Sequence, residues 1–123
     1  MSSVKSSTAE QAYHLEIKQA QQARHEQLWP QAWFHLERAH ILGQHHFVLH
    51  LQSHWLMLKL AADQTDWPEI RGQLLRIVLT PLGHLTGQLP LGNPGSSRYP
   101  VLQAQPVPDD LVHLLSEAKD PLL

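Results

Sequence analysis

The dipeptide Trp-Pro occurs twice in this sequence, 38 residues apart, and this spacing constrains the fold more than any other feature. Trp29-Pro30 and Trp67-Pro68 each precede apolar residues at the three- and four-residue spacing of an amphipathic helix. Proline is favoured in the first turn of a helix, where its missing amide hydrogen has no partner to lose. A helix, a turn and a helix at this period are typical of helical-hairpin repeats such as the tetratricopeptide type. We therefore predict an all-α fold of two antiparallel helical hairpins, either repeat-like or closed into a four-helix bundle.

The ends of these helices carry local signals. A capping box at Ser7–Glu10 opens the first helix. The second is predicted over 31–42, with Gly43 as a left-handed stop. A second capping box, Asp66–Glu69, opens the fourth helix, which we expect to end before Pro81 because a residue that precedes proline avoids helical backbone.

The third helix, predicted over 46–62, is apolar on nearly every face. It carries Phe47, Val48, Trp55, Met57 and several leucines, which leave few positions for polar side chains. A helix without a polar face belongs in the middle of a bundle. We therefore predict that this helix is the most buried of the four and that Trp55 is covered.

Length and composition indicate one domain. A chain of 123 residues with 42% apolar residues can bury a core, so 1–123 is treated as a single domain with its hairpins over 9–79. The segment 80–108 holds most of the prolines and glycines, but its recurring leucines and valines predict an irregular arm that packs on the helices. A short last helix is predicted over 109–118.

Charge and cysteine content exclude several functions. The net charge is −2 and the basic residues are scattered, whereas a nucleic-acid partner requires a basic stripe. The chain starts with a polar stretch and has no apolar run near the roughly 18 residues of a membrane span, so we expect a cytoplasmic protein without a membrane partner. There is no cysteine, so a metal would have to be bound by nitrogen and oxygen.

Ten histidines are an unusual load for this length, and some of them follow a pattern. Glu37 and His40 stand three residues apart in the second helix, and His46, His50 and His54 stand four apart in the third. A tight turn between antiparallel helices sets the two stripes side by side, with Glu37, His40, His46 and His50 within about 6 Å along the hairpin. These residues are the candidate ligands of a metal ion.

Two interpretations of this group remain open. Neutral imidazole and carboxylate suit zinc, iron(II), nickel, cobalt or copper(II), with zinc and iron as the expected ions, and do not suit calcium or magnesium. Alternatively, the same side chains form a buried polar network that only satisfies its own hydrogen bonds and sets the register of the hairpin.

The sequence also resembles a small family of uncharacterised bacterial helical proteins, catalogued as a domain of unknown function, over about 9–115. The resemblance rests on these residues: 36–44, His50, His54, Trp55, Leu56, Met57, Trp67, 72–76, Gly92 and Asn93. Some members lie beside heavy-metal-resistance genes, which implies a metal-related role. The family-like pattern falls on Glu37, His40, His50 and His54 and favours these four over His46, while Pro94 departs from the threonine expected at its position.

The expected function is therefore transition-metal binding through Glu37, His40, His50 and His54, in metal handling or as a metal-dependent enzyme of unknown reaction. Whether the chain is an enzyme is left open, because no catalytic triad, carboxylate pair or nucleotide loop is evident. The alternative is a tetratricopeptide-like protein-interaction module with a structural His/Glu network. In that case a groove lined by tryptophans would hold a protein partner or a second copy of the chain.

Overall fold

Five α-helices make up the computed structural model, which describes residues 7–119. The helices are α1 (Thr8–His25), α2 (Trp29–Gly43), α3 (Phe47–Asp63), α4 (Trp67–Thr86) and α5 (Asp109–Lys119). No strand occurs within the described residues, and none of the helices there has the length and apolar character needed to cross a lipid bilayer. The predicted all-α class is confirmed.

The helices pack in chain order as two hairpins. α1 packs against α2, α2 against α3 and α3 against α4, while α5 returns to α1 and α2. In both predicted capping boxes the N-cap bond forms: Ser7 Oγ accepts a hydrogen bond from the Glu10 amide at 3.1 Å, and Asp66 Oδ1 accepts one from the Glu69 amide at 3.2 Å. The reciprocal half is replaced at Asp66, whose amide donates to Ala61 O. The helix that contacts most other elements is α2, and it places its C-terminal half beside the start of α3.

The predicted left-handed stop at Gly43 is wrong, although α2 does end there. The turn continues through Gln44 in right-handed backbone, at φ −61°, so glycine is not required for its φ angle. A Cβ at position 43 would instead lie 3.0 Å from the ring of Tyr13 and from Leu49 Cβ. Gly43 allows the end of α2 to approach α1 and α3 closely.

The prediction that α3 is the most buried helix is also wrong. Trp55 is 54% exposed, and Phe47 and Val48 lie on the same open side. In a chain of hairpins α3 packs mainly against α2 and α4, with a few contacts to α1 such as the hydrogen bond from Tyr13 to Leu49 O. No other element within residues 7–119 covers its outer face. The inner face is buried and carries Met57 together with two of the candidate histidines.

The fourth helix is longer than predicted. It passes through Pro81 and ends at Thr86, followed by Gly87 in left-handed backbone at φ +76°. The proline removes one backbone hydrogen bond, but continuation of the helix brings His84 into contact with His50 on α3. Tertiary packing therefore overrides the local signal, and the irregular arm begins after α4.

The arm lies against the helices. Gln44 fixes its start, because its amide nitrogen donates to Pro90 O at 2.8 Å and its carbonyl oxygen accepts from the Gly92 amide at 3.1 Å. Asn93 is buried, and its side-chain nitrogen donates to Pro100 O and Gln103 O at 2.8 and 2.7 Å. These bonds hold the turn around Asn93 over the junction of α2 and α3.

Candidate metal centre

Three histidines meet in the interior between α2 and α3. His40 comes from α2, and His50 and His54 lie one turn apart on α3; they are 2%, 4% and 3% exposed. One ring nitrogen of each lies within 4.8 Å of one ring nitrogen of both others. The structure therefore brings together three of the four residues singled out in the sequence, and we call them the histidine trio.

Glu37 is not part of this group. Both of its carboxylate oxygens accept hydrogen bonds from Nη2 of Arg98, at 3.0 and 2.8 Å. Arg98 belongs to the arm, so this ion pair ties the arm to α2. Helical spacing correctly placed Glu37 near the trio along the helix axis. Its side chain, however, binds Arg98, a partner that spacing within the helix cannot predict.

The protonation of His40 follows from its partner. His40 Nδ1 lies 2.7 Å from the carbonyl oxygen of Asn93. A carbonyl oxygen only accepts, so Nδ1 carries the hydrogen and donates. In the neutral ring, Nε2 of His40 is therefore an unprotonated acceptor.

The same reasoning applies to His54. Its Nδ1 lies 2.8 Å from Gln73 Oε1, while the amide nitrogen of Gln73 donates to Glu69 Oε2 at 2.8 Å and to Gly95 O at 2.9 Å. These two acceptors set the orientation of the Gln73 amide, so Oε1 accepts and His54 Nδ1 donates. Nε2 of His54 is then unprotonated in the neutral ring as well.

The two unprotonated nitrogens face each other. His40 Nε2 and His54 Nε2 are 3.1 Å apart, and neither neutral ring has a hydrogen to place between them. Two buried lone pairs at this distance require a shared cation or an added proton. This pair of nitrogens is the feature of the site that favours a bound ligand.

Burial opposes the added proton. Desolvation, followed by the positive charges that His54 and His50 would carry, holds the pKa of His40 well below its usual value of 6.5. Desolvation, then repulsion from neighbouring histidines, lowers the pKa of His50 to about 3. Desolvation likewise lowers the pKa of His54 to about 4, with Arg76 adding to the effect. All three rings are therefore neutral near pH 7.

His84 is a fourth histidine at the site. Its Nε2 lies 2.8 Å from His50 Nδ1, and its side chain is partly exposed at the edge of α4. Sequence reasoning missed it because α4 was expected to end before Pro81. Only a helix continued through Pro81 would have placed His84 beside α3.

The arm closes over the trio at Gly95. This residue has φ +90°, and a Cβ there would lie 2.6 Å from the His40 ring. Arg76 holds the segment that follows, because its guanidinium donates to Tyr99 O at 2.9 Å and to Ser96 O at 3.4 Å. A bare glycine backbone therefore forms one wall of the site.

A cavity of about 300 Å³ opens beside the trio. The three histidines belong to its lining, and the other walls are mainly apolar, with contributions from Leu79, Leu89 and Val101. The three rings therefore border a cavity.

One protein family matches this sequence over residues 7–115, which is most of the chain and includes the trio, His84 and the arm. The chain belongs to the family described as Protein of unknown function (DUF3703). No curated protein and no solved structure matches it. The expected membership of an uncharacterised family is thus confirmed, while the link to metal-resistance genes and to tetratricopeptide repeats stays a prediction.

Proposed function

We propose that this protein binds one divalent transition-metal ion through His40, His50 and His54. The observation that carries the proposal is the pair of unprotonated nitrogens, His40 Nε2 and His54 Nε2, 3.1 Å apart in a buried site. Metal-bound histidines typically donate their other ring hydrogen to an oxygen acceptor, which fixes the ring and its tautomer. His40 and His54 both do this, toward Asn93 O and Gln73 Oε1.

His50 completes the ligand set in this proposal. When its Nδ1 donates to His84 Nε2, its Nε2 is unprotonated and available to the ion. Three neutral imidazoles suit zinc, iron(II), cobalt, nickel or copper(II), and we propose zinc or iron as the natural ion. Glu37 is assigned to the ion pair that holds the arm and not to the metal.

Three protein ligands and an adjoining cavity are the arrangement of an open zinc site, where a fourth position is left for water or substrate. The bound ion would act there as a Lewis acid. Metal handling or a metal-dependent reaction in the cytoplasm is therefore the proposed role.

A second candidate is a protein-interaction module in which the trio only secures α2 against α3. The exposed apolar side of α3, with Phe47, Val48 and Trp55, favours this alternative, because exposed apolar patches often mark protein interfaces. The two candidates differ in whether the trio holds an ion.

Elemental analysis of untagged protein, purified without a metal resin, tests the metal site. We expect about one equivalent of metal after reconstitution with zinc and removal of excess. His54→Gln should lose the metal, whereas His14→Gln and His25→Gln, on exposed positions of α1, should retain it. If His54→Gln proves unfolded by circular dichroism, zinc-dependent stabilisation of the wild type decides instead. A wild type that retains no metal and is not stabilised by any of these ions would refute the proposal.

A further inference from the structure

The charges around the cavity do not match a dication bound by neutral ligands. Within the described part of the chain, no Asp or Glu lines the cavity, whereas Arg76 does. Arg76 is buried. The four hydrogen bonds of its guanidinium all go to neutral oxygens, namely Gly72 O, Ser97 Oγ, Ser96 O and Tyr99 O. The Glu69 carboxylate attracts the positive charge of Arg76, but within the described residues no ion pair at contact distance neutralises it.

Glu69 is the acidic residue linked to the trio, and the link is indirect. Its carboxylate accepts from the Ser97 amide at 2.9 Å and from the Gln73 side chain at 2.8 Å. The neutral amide of Gln73 separates it from His54. A bound dication and Arg76 would together carry three positive charges, and one carboxylate at this distance does not balance them. Charge is poorly screened in such buried surroundings.

The walls of the cavity select among possible anions. Thr80 Oγ1 already donates to Arg76 O at 2.7 Å, and the hydrogens of Arg76 are directed to backbone and Ser97 oxygens, so a phosphate would find few donors for its extra oxygens. A carboxylate has two oxygens and needs fewer partners. The apolar side chains of Leu79, Leu89 and Val101 fit a hydrocarbon tail.

The following inference rests on the proposed metal site. We propose that the open coordination position of the metal binds the carboxylate of a small organic acid whose apolar tail lies in the cavity. The carboxylate neutralises the excess charge at the metal, and the tail covers the apolar walls. A cavity of about 300 Å³ is at the small end of ligand pockets, so the ligand class is short-chain carboxylic acids.

Cobalt(II) is the probe for this inference, because ligand exchange at cobalt changes its visible absorption. Cobalt-loaded protein is titrated with acetate, butanoate and hexanoate, and with neutral hexanamide as the matched control. We expect affinity to rise about two- to fourfold for each added methylene that enters the cavity. Hexanamide should bind at least about tenfold more weakly than hexanoate, because it lacks the charge.

A pair of variants locates the binding. Leu102 lines the mouth of the cavity and is 73% exposed, so Leu102→Glu adds a negative charge there without disturbing the core. Val112, exposed on α5, provides the matched control Val112→Glu. Leu102→Glu should weaken hexanoate binding at least about threefold with cobalt content unchanged, and Val112→Glu should change neither.

The outcomes separate this inference from the metal site. Cobalt-loaded protein whose spectrum does not respond to about 10 mM hexanoate, which corresponds to negligible affinity, overturns the carboxylate proposal and leaves the metal site standing. Equal affinity for hexanoate and hexanamide, or equal effects of the two variants, also overturns it. A protein that takes up no cobalt overturns both.

Discussion

His40 and His54 face each other through Nε2 atoms 3.1 Å apart, while the opposite nitrogen of each ring donates to a fixed oxygen. The oxygens belong to Asn93 on the arm and Gln73 on α4, so four separate segments, α2, α3, α4 and the arm, set the geometry of the pair. A purely structural network would place a hydrogen between the two rings. The absence of one in the neutral state is what distinguishes this pair from an ordinary buried histidine contact.

Replacement of Gln73 by methionine should weaken metal binding while the three histidines remain. The change removes the acceptor of His54 Nδ1 and frees the ring to adopt the other tautomer. We expect a 10- to 100-fold loss of zinc affinity, the usual effect of losing such a partner. Competition with a chromophoric chelator measures it. Gln11→Leu, at an exposed position of α1, is the control, and equal affinities in the two variants would contradict the role of Gln73.

Gly95→Ala should disturb the site more than Gly87→Ala. Both residues have positive φ, so both changes carry a strain of about 1 kcal/mol. A Cβ at 95 also meets the His40 ring at 2.6 Å, whereas nothing lies within 4 Å of one at 87. We expect an additional loss of about 1–3 kcal/mol in the free energy of unfolding.

Urea unfolding and metal content compare these two glycine variants. Gly95→Ala should lose metal as well as stability, because His40 must move. Gly87→Ala should keep its metal. Equal behaviour would show that the arm does not press on His40.

The metal-free protein should lose stability as the pH falls below about 6.5. In the unfolded chain the histidines titrate near 6.5, whereas in the folded chain the pKa is about 3 for His50 and about 4 for His54. Below 6.5 the unfolded state therefore binds more protons, and stability that is complete above this pH is lost on acidification. Each neutral buried ring contributes a slope of about 1.4 kcal/mol per pH unit.

Urea unfolding of metal-free protein between pH 7.5 and 5 measures this slope, and His54→Gln should reduce it. A stability independent of pH over this range would mean that the trio is accessible to protons in the folded state.

The exposed side of α3 predicts different costs for two apolar substitutions. Trp55→Gln should cost less than about 1 kcal/mol, because more than half of the side chain is in solvent. Met57→Ala should cost about 2–5 kcal/mol, because Met57 is fully buried on the inner face. Chemical denaturation measures both. A larger loss for Trp55→Gln would show that the outer face is covered in solution.

The parts of the fold that sequence predicted are those set by neighbouring residues. The N-caps at Ser7 and Asp66 and the prolines in the first turns of α2 and α4 depend on local hydrogen bonding, and all of them are observed. The passage of α4 through Pro81 and the close approach at Gly43 depend on packing between helices. Local signals therefore predicted the wrong end for α4 and the wrong role for Gly43.

The candidate site divides in the same way. Helical spacing identified His40, His50 and His54, since one turn of helix and an antiparallel neighbour are enough to bring them together. Glu37 was misplaced because its partner Arg98 lies 61 residues away along the chain. Asn93 and Gln73 were missed because their contacts depend on how the arm and α4 fold back. The uncovered side of α3 likewise follows from hairpin stacking and not from its composition.

X-ray absorption at the zinc edge of reconstituted protein tests the metal site most directly. We expect imidazole scattering from three histidines, with zinc–nitrogen distances of about 2.0–2.1 Å and one further light ligand at the open position. His54→Gln should reduce the imidazole contribution or abolish zinc retention. A spectrum of oxygen ligands alone, without imidazole scattering, or a protein that retains no zinc, would contradict the assignment of His40, His50 and His54 as a metal centre.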